Sequence, residues 1–354
     1  MVEGAEPSEK VPRYLAPTLV VMETHLIELA IRLTRPFETA AGRIDRRHTM
    51  LVGLTDDGTS GWGEAAPYPG VTTDTIDGVW ASLSGETSAL TPSAAAALEG
   101  AEADLSARLG SEPLWRNLGG AARPLKASMA IGLDDDPIDR IEATGAAAAK
   151  LKIRPGDDVR RVDRLRMRFP ELTIGVDANG SYSWDERDAL LELDRFDVAY
   201  IEQPFPAAEL QAHAGLREEI LADVALDEPI DSVQGAIAAI EAGAADVIVV
   251  KPGRIGLAAC RTIHDLALAA GLRVKASGLL ETAIGRAHTL AVATLPGAVH
   301  SDVAVDSWFF GSATAYPPVT VADGWISASA EPGIGVSPDL DALAPFIVRE
   351  TTIG

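Results

Sequence analysis

Short apolar runs recur at a regular interval through the middle of the chain, and each run ends in a charged residue. The five clearest runs read A-A-A-A-K-L-K, L-T-I-G-V-D, V-A-Y-I-E, V-A-L-D and A-D-V-I-V-V-K. Their last residues are Lys152, Asp177, Glu202, Asp227 and Lys251, separated by 25, 25, 25 and 24 positions. Because helix-like sequence fills each interval, this rhythm predicts stacked β/α units with a charged side chain at the carboxyl end of each strand.

The same pattern extends to eight strands and predicts a closed parallel barrel of the α/β class. The runs between the strands have helical period and end at proline or glycine. The strand candidates are 125–131, 148–153, 172–177, 198–202, 224–227, 246–251, 272–276 and 298–303. In such a barrel the carboxyl ends of the strands form one mouth, where the chemistry is kept.

The residues before the barrel follow a different, alternating pattern that starts near Thr24. Two runs on either side of Asp57-Gly58 predict antiparallel strands joined by a tight turn. A later alanine-rich run predicts a helix with Pro92 near its start and Gly110 at its end. We therefore expect this part of the chain to be α+β.

These patterns divide the chain into three predicted parts. Residues 1–20 are polar and without period, so we expect a flexible extension there. Residues 21–122 form an α+β capping domain, which the strand-like and loop-like residues 312–354 complete. Residues 123–311 form the catalytic barrel.

Composition narrows the class of protein without identifying its chemistry. The 354 residues are 47% hydrophobic and 23% charged, as in an ordinary globular protein. A formal net charge of -22 argues against nucleic acid or an anionic membrane as a partner. Cys260 is the only cysteine, and we expect a small buried residue rather than a nucleophile. Because no signal-like segment or long apolar span is present, the expected location is the cytoplasm.

Lys150 and Lys152 are two positions apart on a predicted strand, so their side chains face the same side of the sheet. A lysine buried at the barrel rim beside another cation should have a lowered pKa, and such a lysine can act as a general base. Taken alone, the pair would more often be two surface lysines at the end of a strand.

Asp177, Glu202 and Asp227 end three successive strands, whose ends lie about 5 Å apart in a parallel sheet. Ionised carboxylates this close repel by roughly 4 kcal/mol per pair at an effective dielectric constant of about 20, so protons, cations or a metal must lie between them. Oxygen ligands without histidine or cysteine select Mg²⁺ or a similar ion. The alternative is three helix N-caps, a role that suits one aspartate better than three evenly spaced acids.

Lys251 follows the next strand, across the barrel from Lys152. Two lysines that face each other over a divalent ion suit the removal of a proton α to a carboxylate, because the metal stabilises the enediolate while a lysine takes the proton. A structural salt bridge is the alternative role for Lys251. Arg254 would tune Lys251, touch the substrate or lie at the surface. Among the histidines only His300 is placed to face the mouth, although packing or solvation is the more common role.

Six motifs together resemble the muconate-lactonizing-enzyme subgroup of the enolase superfamily. They are K-L-K (150–152), V-D-A-N-G (176–180), I-E-Q-P-F (201–205), L-D-E-P-I (226–230), V-K-P-G-R-I-G (250–256) and S-G-L-L-E-T-A-I-G-R-A (277–287). The resemblance extends from about residue 24 to the end of the chain and includes G-W-G-E-A (61–65). It implies a modified (β/α)7β TIM-type barrel with an α+β capping domain.

The resemblance also implies a role for each matched residue. Lys152 would be the acid/base catalyst, Lys251 the opposite lysine and Asn179 a support for the metal ligands. The ligands for Mg²⁺, with Mn²⁺ as a substitute, would be Asp177, Glu202 and Asp227. The residues that would bind substrate are Lys150, Asn179, Arg254, Ser277, Gly278 and Leu279, beneath the capping loops Phe37–Ile44 and Ala66–Val71.

Within the subgroup, K-P-G-R and L-E-T-A-I-G-R-A resemble o-succinylbenzoate synthases and the related N-succinylamino acid racemases. This resemblance implies syn-dehydration of succinyl-hydroxycyclohexadiene carboxylate through an enediolate in menaquinone biosynthesis. The alternatives are two-lysine racemisation, and a catalytically silent barrel that binds an anionic ligand or a partner. Ser277, Lys275 and D-E-P depart from the usual pattern, while the lack of a D-x-D at the eighth strand weighs against dipeptide epimerase. The expected partner is a small carboxylate, and a homo-oligomer remains open.

Overall fold

A computed structural model of the protein describes residues 23–156 and 158–354. It combines an antiparallel sheet and its helices with a parallel barrel. The predicted extension over residues 1–20 lies outside the described residues. None of the helices within the described ranges has both the length and the apolar character needed to cross a membrane.

The antiparallel sheet is built from both ends of the described chain. Its strands are β1 (Glu23–Thr39), β2 (Gly42–Asp56), β3 (Thr59–Ala65) and the last strand of the chain, β15 (Ile347–Ile353), in the order β15-β1-β2-β3. The turn predicted at Asp57-Gly58 joins β2 to β3, and its two residues have φ values of 45° and 77°. Positive φ at both positions is the geometry of a two-residue hairpin loop, so the prediction is confirmed.

Three helices follow this hairpin: α1 (Ile76–Leu83), α2 (Pro92–Leu109) and α3 (Leu114–Asn117). The predicted alanine-rich helix is α2, with Pro92 in its first turn and Gly110 as its C-cap residue. Two glycines of β3 let α2 pack directly on the strand. A Cβ atom on Gly63 would lie only 1.9 Å from the carbonyl oxygen of Ala97, so this position admits no larger side chain.

Seven parallel strands pair in chain order and curl into the barrel. After the short β4 (Leu125–Lys126), they are β5 (Ser128–Ile131), β6 (Ala148–Lys152), β7 (Thr173–Asp177), β8 (Tyr200–Glu202), β9 (Asp223–Leu226), β10 (Val247–Val250) and β11 (Arg273–Ala276). The helices of this part are α4 (Pro137–Thr144), α5 (Asp158–Arg168), α6 (Arg187–Leu193), α7 (Leu210–Arg217), α8 (Val233–Glu241), α9 (Pro252–Ile255), α10 (Leu257–Ala269) and α11 (Ala283–Ala293). The predicted alternation of strand and helix is confirmed.

The prediction of a regular eighth strand over 298–303 is wrong. The backbone N–H of Val299 donates to Val274 on β11, and that of Ser128 on β5 donates to Val303. The segment therefore closes the barrel through hydrogen bonds to both neighbours, with a single β-bridge instead of a ladder. The interruption lies at His300, whose φ of 49° is incompatible with an extended strand.

Short elements complete the chain between the barrel and β15. They are α12 (Ser307–Phe310), β12 (Ala315–Tyr316), β13 (Trp325–Ile326), β14 (Ser337–Pro338) and α13 (Leu340–Leu343). β12 pairs with β14, and β13 pairs with β4.

The alternation of side chains along β6 separates the apolar core from the interior of the barrel. Leu151 is fully buried in the hydrophobic layer with Val162 and Leu165 of α5. Lys150 and Lys152 point to the opposite side, as their spacing predicts. Cys260 is fully buried within α10, and burial raises the pKa of its thiol, so the prediction of an inert core cysteine is confirmed.

Candidate active site

Two lysines and two acids meet at the carboxyl ends of β6, β7 and β8. The ammonium nitrogen Nζ of Lys152 lies 2.6 Å from Oδ2 of Asp177, and Nζ of Lys150 lies 2.8 Å from the same oxygen. Lys150 also donates to Oε1 of Glu202 at 2.7 Å. All four side chains are buried. The regular spacing in the sequence therefore does bring these residues together.

Asp227 follows β9 and carries two cations of its own. Nζ of Lys251 lies 2.5 Å from Oδ2 of Asp227, while Nη2 of Arg254 donates to Oδ1 at 3.0 Å. The same Nη2 also donates to the carbonyl oxygen of Ile230 at 3.0 Å. Arg254 is thus held against Asp227 and is not among the residues that line the cavity described below, so its contact with substrate stays a prediction.

The cations set the charge state of the acids. Burial alone would raise the pKa of Asp177, but the ammonium groups of Lys150 and Lys152 lower it well below its ordinary value. Lys251 and Arg254 lower the pKa of Asp227 in the same way, against the opposing effect of burial. Both carboxylates are therefore ionised, as metal ligands must be.

The predicted lowering of the lysine pKa is wrong for Lys150. Burial disfavours its charged form, but Asp177, Asp302 and Glu202 outweigh burial and raise its pKa well above the ordinary value. The prediction considered the neighbouring cation, whereas the nearest charges in the folded protein are carboxylates.

Asn179 contacts both Lys152, the predicted catalytic lysine, and Glu228, an acid outside the predicted set. Its Oδ1 accepts from Nζ of Lys152 at 2.9 Å, and its Nδ2 donates to Oε1 of Glu228 at 3.0 Å. Burial, followed by the charge of Asp227, raises the pKa of Glu228 to about 7. Asn179 and Asp177 together hold the Lys152 ammonium group in position.

Two residues of the barrel interior extend the network beyond the predicted set. Asp302 accepts from Nζ of Lys150 at 3.0 Å and from Oγ of Ser277 at 2.8 Å. Lys275 is fully buried, donates to Asp302 and lies 3.1 Å from Oε2 of Glu202. Burial opposes ionisation of Asp302, but Lys150 and Lys275 lower its pKa to about 2. Lys275 stood out in the sequence, whereas the signal for Asp302 was only its place within the eighth predicted strand.

His300 does not reach this network. Its Nε2 lies 3.6 Å from Oδ2 of Asp223, the first residue of β9, and its ring packs against Tyr200, the first residue of β8. These are the amino ends of the strands, so His300 has the packing role that was the more common expectation and does not face the mouth.

A cavity of about 690 Å³, part of it open to solvent, lies over the lysines. Its lining includes the predicted residues Lys150, Lys152, Asn179, Lys251, Ser277, Gly278 and Leu279. The predicted capping loops contribute Phe37 and Thr39 from the first and Tyr68 and Val71 from the second. The reactive groups thus lie at the base of a pocket that the N-terminal part of the chain covers.

Two buried residues that the sequence reasoning missed tie the capping sheet to the barrel. Arg47 of β2 donates to the carbonyl oxygens of Ala66, Pro67 and Leu280. Glu64 of β3 accepts from the backbone N–H groups at the start of α11. Alternation along β2 gave no signal for Arg47, because its nearest neighbours on the same face, Asp45 and Thr49, are polar.

The donor chemistry fits a hard divalent cation. In the part of the chain that the structure describes, no three acid, histidine or cysteine side chains are already arranged around one metal position. Lys150 lies between Asp177 and Glu202, and Lys251 lies against Asp227. Oε2 of Glu202, however, is buried and accepts no hydrogen bond. The ammonium group of Lys275 lies 3.1 Å from this oxygen as an ion pair. Three buried acids suit Mg²⁺, provided that the ammonium groups withdraw when the ion binds.

The fold is a parallel barrel that gathers lysines and acids at the carboxyl ends of its strands, which is where barrel enzymes place their active sites. Residues 136–342 match the family model described as Enolase C-terminal domain-like. The chain belongs to the enolase superfamily. Enzymes of this superfamily bind Mg²⁺.

Relatives with known names cover most of the chain. An o-succinylbenzoate synthase from Geobacillus stearothermophilus is 34% identical over 346 residues, which cover 89% of this chain and 92% of the relative. An N-succinylamino acid racemase from Thermus thermophilus is 35% identical over 268 residues, covering 73% and 72% of the two chains. Both names agree with the families that the motifs resemble.

Solved structures share the whole fold. A member of the enolase superfamily from Listeria innocua superposes with a TM-score of 0.82 at 26% identity, covering 94% of this chain and 98% of that one. A dipeptide epimerase from Cytophaga hutchinsonii, solved with Mg and a dipeptide, superposes with a TM-score of 0.83 at 20% identity, covering 94% and 99%. The barrel with its antiparallel sheet is therefore the fold of the superfamily.

Proposed function

We propose that this protein is an o-succinylbenzoate synthase that uses Mg²⁺ to dehydrate succinyl-hydroxycyclohexadiene carboxylate. The observation that carries the proposal is a pair of lysines that line one cavity, Lys152 and Lys251. Lys152 contacts Asp177 and Lys251 contacts Asp227, two of the three buried acids of the site. The synthase from Geobacillus stearothermophilus, alignable over most of both chains, supports the choice of reaction.

The proposed metal ligands are Asp177, Glu202 and Asp227. Mg²⁺, with Mn²⁺ as a substitute, would supply Lewis-acid stabilisation of the negative charge that develops on the substrate carboxylate. The buried oxygen of Glu202 that accepts no hydrogen bond supports this assignment.

Lys152 is the proposed acid and base. Its Nζ is held by Asp177 and Asn179, so it must release Asp177 and lose a proton before it can act. It then takes the proton from the carbon α to the carboxylate and returns it to the departing hydroxyl group on the same face. Water leaves, the ring gains a double bond, and the lysine is restored.

Lys251 is proposed to remain a cation during dehydration. Its ammonium group lines the cavity beside Asp227, and once it withdraws from that carboxylate its charge would face the anionic intermediate. Ser277, Gly278 and Leu279 at the end of β11 would shape the pocket for the succinyl chain.

The same geometry supports a second candidate, N-succinylamino acid racemase. Lys251 reaches the cavity as Lys152 does, so two lysines could exchange the α proton on opposite faces. The similarity to the Thermus thermophilus racemase, at 35% identity, supports racemisation as the second candidate activity.

Two assays run in parallel test the proposal and separate it from the alternatives. The purified protein is given the cyclohexadiene substrate with Mg²⁺ or with EDTA, and aromatic product is followed by absorbance. In parallel, N-succinylamino acids are incubated in deuterated water and α-proton exchange is followed by NMR. The proposal expects metal-dependent product. Exchange without dehydration would make racemase the function, and neither activity would leave a silent, anion-binding barrel.

The wider setting of the reaction is also proposed. A small carboxylate is the expected partner, rather than nucleic acid or membrane, and the cytoplasm is the expected location. The predicted boundaries of the capping and barrel domains, and homo-oligomeric assembly, stay predictions.

A further inference from the structure

Arg286 lies in the wall of the cavity, outside the network of lysines and acids. It belongs to the first turn of α11 and lines the cavity together with Leu279 and Phe309. Its Nε donates to the carbonyl oxygen of Glu281 at 2.9 Å, and its guanidinium carbon lies 4.6 Å from the centre of the Phe309 ring. These contacts fix the plane of the guanidinium group without using its outer nitrogens.

The outer nitrogens of Arg286 have no hydrogen-bond partner among the described residues. Nη2 is buried and donates no hydrogen bond, and Nε is the nitrogen through which Arg286 donates. The carboxylates of Glu281, Asp306 and Glu64 favour its positive charge from a distance, but none forms an ion pair with it. A buried cation with free donors is costly unless something pairs with it.

Arg47 provides the contrast within the same region. It is also buried, yet Nε, Nη1 and Nη2 each donate to a backbone carbonyl, at 3.4, 2.8 and 2.9 Å. Its donors are used to hold the capping loop. The hydrogen bonds of Arg47 therefore explain why an arginine is buried there. No such hydrogen bonds within the described residues explain the outer nitrogens of Arg286.

The other cations that line the cavity are already paired. Lys150 and Lys152 contact Asp177, and Lys251 contacts Asp227. Among the described lining residues, Arg286 is thus the cation without a carboxylate partner. Its planar donors match a carboxylate, which accepts two parallel hydrogen bonds from one guanidinium group.

We propose that Arg286 binds a second, remote carboxylate of the substrate, so that the cavity selects dicarboxylates. This inference rests on the proposed function, in which the first carboxylate of the substrate lies at the lysines. The second would be the free end of a succinyl chain. Arg286 would then be a specificity-determining residue: it fixes which carboxylates bind and takes no part in proton transfer.

The test measures binding, so that it does not depend on turnover. Calorimetry with Mg²⁺ present compares 2-succinylbenzoate with 2-butanoylbenzoate, which has a methyl group in place of the remote carboxylate. Wild-type protein should bind the succinyl ligand about 10- to 100-fold more tightly, the range expected for a hydrogen-bonded charge pair. In R286M the ratio of the two affinities should fall to within threefold of one, and R286K should give an intermediate ratio.

Thermal melts of both variants show whether the fold is kept, and the charge-retaining R286K serves if R286M does not fold. An unchanged affinity ratio in a folded variant, or a wild-type ratio near one, would overturn the inference. Failure of the proposed function is a different result: no aromatic product in the presence of Mg²⁺, whatever the two affinities. Dehydration with an unchanged ratio would leave the function standing and remove Arg286 from substrate selection.

Discussion

Nζ of Lys275 lies 3.1 Å from Oε2 of Glu202, at the fully buried centre of the barrel. The same ammonium group donates to Asp302 and lies 4.8 Å from the centre of the Tyr200 ring. A cation is therefore built into the protein beside the carboxylate oxygen that has no hydrogen bond. It neutralises part of the charge that a divalent ion would otherwise neutralise.

Replacing this cation should make the protein depend more on added metal. K275M leaves Glu202 and Asp302 with one cation fewer, and breaking a buried ion pair costs about 3–5 kcal/mol. We expect a lower melting temperature without metal, and a larger rise on adding Mg²⁺ than in wild type. Thermal melts with EDTA and with Mg²⁺ measure both. K126M, which removes an exposed lysine of β4, is the control and should match wild type. An equal or smaller Mg²⁺ response in K275M would contradict the prediction.

The two cavity lysines should separate the two candidate reactions. K152A should abolish dehydration, with a loss of at least 100-fold, because general acid–base catalysis contributes about 10²- to 10⁴-fold. K251A should lose stabilisation of the anion and, in racemisation, exchange of the α proton on one face only. Steady-state rates and the exchange of each N-succinylamino acid enantiomer provide the measurement. Full dehydration by folded K152A would refute the assignment of the base.

Arg47 should matter for both stability and substrate affinity. R47M leaves the carbonyl oxygens of Ala66, Pro67 and Leu280 without their donor, and each unsatisfied buried group costs about 1–3 kcal/mol. Because Leu280 lines the cavity and Ala66 packs against Tyr68 and Leu279, which also line it, KM should rise as well. Urea unfolding and KM are the readouts. Arg43, exposed on the same strand, offers R43M as a control that should change stability by less than about 0.5 kcal/mol. Equal behaviour of the two variants would contradict the role of Arg47.

Because α2 lies close to β3, adding one methyl group at Gly63 should strongly lower the free energy of unfolding. In G63A the added Cβ would lie 1.9 Å from the carbonyl oxygen of Ala97, so helix and strand must separate. We expect a loss of unfolding free energy of about 3 kcal/mol, at the upper end of the usual range for overpacking of a tight core. G110A is the matched control, since its Cβ would lie 3.3 Å from the nearest atom and its φ of -75° suits alanine. Urea melts in which both variants lose the same stability would argue against close packing as the cause.

The sequence predicts well those features that repeat or that depend on neighbours along the chain. The spacing from Lys152 to Lys251 identifies successive strands, and the alternation within β6 places Lys150 beside Lys152. Both are properties of a regular backbone. The turn at Asp57-Gly58 and the limits of α2 are likewise fixed by the conformations that a few residues can adopt.

Features that depend on the sum of distant charges cannot be obtained in this way. The pKa of Lys150 rises because acids from three other segments surround it, and the prediction from its neighbour Lys152 had the opposite sign. Positive φ at His300 breaks the eighth strand, which moves this histidine away from the mouth while Asp302 joins the lysines. Arg254 likewise sits behind Asp227 through contacts that no local pattern contains.

The pairing of β15 with β1 has a consequence for synthesis on the ribosome. His25 and Glu350 form a hydrogen bond although 325 positions separate them. During translation the outer edge of β1 therefore stays unpaired until the ribosome has synthesised all the barrel strands and then β15. Such an open edge invites pairing with other nascent chains. Chaperone binding to this edge would shield it until the last strand is released.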